Sequence, residues 1–284
     1  SSSQAPISSS EPASSSSTPS SSSVSSGTVS ETITGNVKEL SISNSGIQYE
    51  NMWVKNTNQN HDIDIGAELA KEPAVKMKKD GTIQILIYHT HTTEAFAGSS
   101  RTQDNSQNVV AVGEEIKKQL EAAGFGVVHD TTCHDYPSYN GAYDRSGETI
   151  QRNLEKYPDI QVTLDVHRDA MGTQDGIRLK PTAMIQGKKA AQIMIISGCD
   201  DDGTLGFPDW EYNLRLGVRV QKSLSDLYPG LARPLSFCPR KYNEHMTKGS
   251  LLVEFGTEVN TLEEVKYSGQ LFGKALAETL NQLT

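Results

Sequence analysis

From Gly81 onward the chain alternates short apolar, β-branched runs with stretches of helical apolar spacing, and that alternation constrains the fold more than anything else in it. Ile83–Tyr88 (IQILIY) has the signature of a central strand buried on both faces. Val162–Val166, the Ile-rich Ala190–Ser197 and Leu251–Phe255 read the same way, with Phe125–His129 as a further strand. Between them, Asn108–Ala123 carries apolar residues at 109, 112, 116 and 120 and is closed by Gly124, which predicts a helix. Ala142–Tyr157 predicts a second helix, stopped before Pro158. Pro208–Tyr228 predicts a long third, ended by Pro229-Gly230, and Thr261–Leu280 an amphipathic fourth. Strands alternating with helices predict an α/β protein: a three-layer sandwich with a largely parallel, twisted sheet flanked by helices on both faces. In such sheets a ligand site forms beyond the carboxyl ends of the strands.

The alternation assigns residues 81–284 to the main, catalytic domain. Ahead of it, residues 33–80 read as an N-terminal strand extension packed on the core, with Ile42, Ile47, Tyr49, Met52 and Val54 in short strands and Asn-Ser-Gly at 44–46 as their turn. Residues 1–32 read as a disordered tether, because 17 of the first 30 residues are serine and so little apolar area cannot offset the entropy of ordering. A tether of this kind suits an enzyme that reaches an extended or insoluble substrate from a fixed anchor. With 284 residues, 35% of them apolar, the chain is long enough for one sizeable α/β domain plus such an extension. Its net charge of −9 argues against a nucleic-acid partner, which wants a basic footprint. No run approaches the roughly 18 apolar residues that span a bilayer, so contact with a membrane is expected only through an anchor N-terminal to the first residue, Ser1. Cys133, Cys199 and Cys238 form no C-x-x-C pair and are read as free thiols, with one disulfide plus a spare as the alternative.

The carboxyl ends of the strands hold the chemistry. The first apolar strand ends in Tyr88-His89-Thr90-His91-Thr92-Thr93-Glu94, the third in Asp165-Val166-His167-Arg168-Asp169, and the last runs Leu251-Leu252-Val253-Glu254-Phe255-Gly256. Separate strands thus deliver His, Glu, His and Glu to one rim. Three N/O ligands with an open position make a catalytic zinc site, and His91, Glu94 and His167 are assigned as the ligands. Glu254 follows three apolar residues on a strand that should be buried, where a carboxylate is costly without a partner, and is assigned as the general base. His89 shares a side with His91 on an extended segment and stands as the alternative ligand, or as a group just behind the ligands. Asp165 and Asp169 are candidates to orient His167. Arg168, Asn243 and His245 are candidate substrate contacts, while His61, His129 and His134 have no partners at ligand spacing and are read as structural. No G-x-S-x-G elbow, Walker loop or Gly-x-Gly-x-x-Gly fingerprint offers another mechanism.

The segments YHTHTTEAF (88–96), DVHRDA (165–170) and LLVEFG (251–256) resemble those of the stage II sporulation protein P family across residues 81–284. More distantly the pattern is similar to zinc N-acetylmuramoyl-L-alanine amidases and, in its His-x-x-Glu step, to metallocarboxypeptidases, which implies their kind of three-layer α/β fold. The resemblance implies zinc-dependent hydrolysis of peptidoglycan at the muramoyl-L-alanine amide bond and at stem-peptide cross-links. It also implies an extracytoplasmic, membrane-anchored enzyme of engulfment during sporulation, with stage II sporulation proteins D and M as partners. The muramoyl amidases carry a Gly-His-Gly-Gly loop and take the metal glutamate from the start of the next helix. Here the loop is His-Thr-His and that helix start offers Asn105 and Asn108, so Glu94 takes the glutamate's place. The competing expectation is a peptidoglycan-binding scaffold of the same fold without turnover.

Overall fold

The computed structural model describes residues 26–284, and most of the expected tether lies outside them. The sheet is mixed, and the direction of its strands governs everything that follows. Eight strands run in the order β4 (Ile47–Tyr49), β5 (Met52–Asn56), β12 (Leu235–Cys238), β11 (Ile193–Gly198), β13 (Ser250–Thr257), β8 (Val162–Asp169), β6 (Ile83–Tyr88) and β7 (Gly126–His129). Strands β13, β8, β6 and β7 are mutually parallel. Strands β5, β12 and β11 are parallel to one another but meet β13 antiparallel, so the sheet has two blocks of opposite direction. The parallel character expected from the alternation is there, divided between two directions.

Alternation along the central strands sorts their side chains between two faces. Ile85 and Ile87 of β6, Val162, Leu164 and Val166 of β8, and Leu251, Val253 and Phe255 of β13 enter the main core. That core is covered by α2 (Val109–Ala122), α4 (Trp210–Leu227) and α5 (Leu262–Asn281). Helix α5 starts at a capping box, Thr261 Oγ1 accepting from Glu264 N while the Glu264 carboxylate accepts from Thr261 N. It lies tight against α2, where a Cβ on Gly273 would come within 2.8 Å of Gln119 Cβ. On the other face Leu86 and Tyr88 pack with Ile150 of α3 (Ala142–Lys156). The alternate residues of β8 there are Thr163, Asp165 and His167, all buried and all polar. One face of the sheet centre is oil and the other is a polar cleft.

Several elements differ from expectation. The β4–β5 hairpin turns at Glu50-Asn51, where Glu50 has φ of +51°, and not at 44–46, because Tyr49 pairs with Met52. A short helix α1 (Ile65–Ala70) follows. The expected strand 190–197 is two: β10 (Lys188–Ala191) belongs to a small second sheet, and β11 begins after the buried Gln192, whose side chain binds Ile42 N and Gly230 O. Strand β9 (Arg178–Ile185) was not expected, and Pro181 within it explains why, since it has no N–H for a ladder. It turns into β10 through Gln186 and Gly187, both at positive φ, the two-residue hairpin loop. Ser26–Thr28 (β1) pairs with β9, and Thr32–Thr34 (β2) and Val37–Leu40 (β3) complete this sheet. Serine-rich sequence therefore becomes strand from residue 26, inside the segment expected to be tether, since a ladder uses main-chain groups whatever the side chains.

Candidate metal centre

Strands β6, β8 and β13 are parallel, so their carboxyl ends share one edge of the sheet. Just past β6 the chain turns, and Glu94 N donates to His91 O at 3.1 Å, which folds His91 and Glu94 back on the same side. His167, near the end of β8, projects into the polar cleft. His91, Glu94 and His167 each offer a ligand atom, all within 4.8 Å of one another. Glu94 sits between the two rings, with Oε2 3.7 Å from His91 Nδ1 and Oε1 3.3 Å from His167 Nδ1. The two imidazoles meet edge to face, centroids 5.1 Å apart.

The electrostatics are those of a poised cation site. Burial alone would raise the Glu94 carboxyl, but His167 and His91 outweigh it and hold it well below the usual carboxylate range. For His167, burial disfavours the charged ring, and Asp165 and Glu94 overcome that and raise it well above its ordinary value. His167 Nε2 lies 2.8 Å from Asp165 Oδ1, an ion contact whose N–H is not well aimed at the oxygen. Asp165 is itself fixed by Thr90, whose N and Oγ1 donate to its two oxygens. Asp165 thus turns His167 so that Nδ1 faces Glu94, the second-layer arrangement typical of metal-bound histidine. Two imidazoles and a carboxylate are a zinc donor set, and among the described residues only Glu94 meets His167 Nδ1.

Glu254 stands beside the cluster. It is the register neighbour of His167 on β13, so both side chains enter the same cleft. Its Oε2 is buried without a hydrogen-bond partner. Burial, reinforced by the charge of Asp169, pushes its carboxyl up to about 8. An unspent buried carboxyl with that affinity is suited to taking and returning a proton near neutrality.

Other sequence candidates are placed elsewhere. His89, the alternative ligand, has left the strand alternation: Nδ1 lies 2.9 Å from Val166 O and Nε2 2.7 Å from His129 Nε2, whose other nitrogen reaches Glu114. Both of its nitrogens are occupied away from Glu94. Arg168 staples the loop after β6, since Nε and Nη2 each donate at 2.6 Å to the carbonyls of Ala95 and Ser100. Asn243 is buried, and its Nδ2 donates to Tyr143 O and Ser146 Oγ, which docks the 240s loop on α3. His245 is exposed on a short 3-10 turn (Glu244–Met246), with no hydrogen bond to the cluster among the described residues. Asp169 pairs with Arg233 at 2.9 Å, so Asp165 alone orients His167. The three cysteines are free.

Some residues around the cluster escaped the sequence reading. Tyr139 stacks on His91 (4.8 Å, 21°) and carries the Arg101 guanidinium on it at 4.7 Å. Tyr143 faces both His91 and His167. Tyr242 and the fully buried Glu244 come from the loop after β12, where Glu244 Oε1 accepts from Gly198 N. These side chains sit in loops and on α3, where only tertiary packing brings them to the strand tips.

The fold and this cluster define a class: a three-layer α/β protein with a His₂Glu group that could hold a cation and a buried carboxyl beside it. The chain matches the profile of Stage II sporulation protein P over residues 5–277, and it belongs to that family. It is 26% identical over 228 residues to Stage II sporulation protein P of Bacillus subtilis, covering 73% of this chain and 53% of that protein. The chain therefore spans about half the length of that curated relative. Among solved structures it is similar to N-acetylmuramoyl-L-alanine amidase AmiC2 of Nostoc punctiforme, at 10% identity over 70% of this chain and 96% of that one, TM-score 0.44. It is also similar to the CwlD amidase of Clostridioides difficile, solved with the GerS lipoprotein, at 10% identity over 70% and 98% of the two chains, TM-score 0.43.

Proposed function

We propose that this chain is a zinc-dependent peptidoglycan hydrolase that cleaves the amide between N-acetylmuramic acid and L-alanine, and stem-peptide cross-links as a second activity. The observation that carries the proposal is the placing of the unpartnered Glu254 as register neighbour of His167 within the His91–Glu94–His167 group. His91, Glu94 and His167 would hold zinc there, which would supply a Lewis acid for the scissile carbonyl and for water. Glu254 accepts the proton of the attacking water and returns it to the leaving amine. Asp165 keeps the His167 ring turned toward Glu94. Tyr143 walls the cleft against bulk water, and the half-exposed Tyr139 forms the side by which a polymer enters. Family membership supports work on cell wall during engulfment, on the extracytoplasmic side, from a membrane anchor N-terminal to the described residues and alongside stage II sporulation proteins D and M. No described helix is long and apolar enough to cross a membrane.

The test is mass spectrometry of fragments released from purified sacculi. The zinc-loaded protein releases stem peptides, chelator stops it, and Glu254→Gln binds sacculi without release. Release that survives chelation, or a Glu254→Gln protein as fast as the parent, overturns the reading. A parent protein that binds sacculi and releases nothing is the scaffold, the one reading that competes.

A further inference from the structure

The second block of the sheet has its own carboxyl edge, opposite the first. Strands β5, β12 and β11 run parallel to one another and antiparallel to β13, so their ends point away from His91 and His167. At that edge three more donors converge. Cys199 directly follows β11, Asp201 lies two residues on, and His61 comes from the loop beyond β5. A ring nitrogen, the thiol sulfur and a carboxylate oxygen all lie within 4.8 Å of one another.

We propose that His61, Cys199 and Asp201 form a second cation site, for a borderline or soft divalent metal of the zinc class, separate from the hydrolytic centre. The donors are held in advance of any ligand. Asp201 Oδ2 accepts from Gln59 N and Oδ1 from Asn60 N, both at 2.9 Å, which draws the 57–61 loop onto the edge. Asn56 Nδ2 donates to His61 O at 2.7 Å, and the His61 ring lies edge-on to Trp210 with centroids 4.8 Å apart. Cys199 is fully buried, and its N donates to Arg240 O at 3.1 Å. Those main-chain bonds account for the course of the loop, but they require neither an imidazole nor a thiol at its closure. Binding releases the thiol proton to solvent and leaves a thiolate, an imidazole and a carboxylate on the metal. That mixed S, N, O set selects zinc-class ions over calcium and magnesium, which take oxygen alone. Bound there, the ion clips the loop after β5 to the tip of β11.

The experiment loads the full chain with cobalt(II) and, separately, with zinc, and needs no turnover. Two zinc ions per chain are expected for the parent, with a near-ultraviolet thiolate-to-cobalt band. The band persists in His167→Ala and disappears in Cys199→Ser, each of which keeps one zinc. Loss of an outer hydrogen-bond partner typically weakens metal binding about 10–100-fold, so loss of the His61 ligand weakens the second zinc at least that much. A parent that binds one zinc, lost in His167→Ala, overturns the site; so does a thiolate band that survives Cys199→Ser. If Cys199→Ser fails to fold, the half-exposed His61→Ala decides: one zinc ion per chain supports the site and two overturn it.

Discussion

The two blocks of the large sheet end in different company. At the β6–β8–β13 edge, the His91–Glu94–His167 group is backed by buried acids whose oxygens are not all spent: Asp165 turns a ligand, and Glu254 has an oxygen with no partner. At the β5–β12–β11 edge, the one carboxylate of the His61–Cys199–Asp201 group already accepts two main-chain N–H groups. Both edges gather imidazole and carboxylate. What separates the two is how the neighbouring acid is held: Glu254 stands in register with His167 and makes no hydrogen bond among the described residues, whereas Glu244, next to the tip of β11, is tied through Oε1 to Gly198 N.

The largest expected effect tests that difference directly. Glu254→Gln keeps the shape of the first edge and removes its base, so kcat on sacculi falls by about 10²–10⁴-fold while bound zinc is unchanged. Steady-state release of stem peptides, with metal content measured on the same samples, checks both halves. A fall in zinc along with rate would make Glu254 a ligand and erase the contrast between the edges.

Next comes the second layer. Asp165→Asn removes the charge that turns His167, and zinc affinity at the first edge falls about 10–100-fold against a competing chelator. Asp165 bonds to Thr90 and His167 and to no donor of the second edge among the described residues, so zinc there is indifferent to this substitution. Equal weakening at both edges would mean the change acts through folding.

How much of this was legible in the sequence follows from the same division. The tips of β6, β8 and β13 could be read onto one rim because each apolar run ends in His, Asp or Glu and the three strands share a direction. Even the polar cleft was written there, since Thr163, Asp165 and His167 alternate with Val162, Leu164 and Val166. Nothing local marks that β11 runs the other way, because strand direction is a property of the pairing and not of the run. His61 and Cys199 are far apart in the chain, and only the reversed block brings them together, which is why they read as a structural histidine and a spare thiol. His89 stood open between two readings for a local reason: the two-residue period that put it beside His91 stops at Tyr88, where the strand ends.

A pH measurement sharpens the role of Glu254. Burial, with Asp169 adding negative charge, raises its carboxyl from an ordinary 4.5 to about 8 in the metal-free protein. The folded value exceeds the unfolded one, so stability from this group is whole below about pH 4.5 and is lost as pH climbs toward about 8. The amide in Glu254→Gln cannot ionise, so metal-free Glu254→Gln should lose less stability than the parent between those limits. The difference is on the order of 5 kcal/mol near pH 8, read from urea unfolding at several pH values. Identical slopes for the two proteins would mean that Glu254 is hydrated and ordinary, and the base assignment would lose its physical ground.

The smallest effect concerns the aromatic wall. Tyr139 stacks on His91 at 4.8 Å and is itself 51% exposed, so its ring steadies a ligand more than it fills a core. An aromatic contact of this kind contributes about 0.5–1.5 kcal/mol, which at 1.4 kcal/mol per decade is a few-fold to about tenfold in an equilibrium constant. Tyr139→Ala should therefore weaken zinc at the first edge by that factor, leave the melting temperature of the metal-free protein nearly unchanged, and raise KM on sacculi more than it lowers kcat. At the second edge Trp210 meets the His61 ring edge-on and also packs against Phe237, so its removal is expected to cost metal-free stability as well as zinc. If Tyr139→Ala destabilised the metal-free chain as Trp210→Ala does, the ring would be core at both edges, and the open side of the first would have to be sought elsewhere.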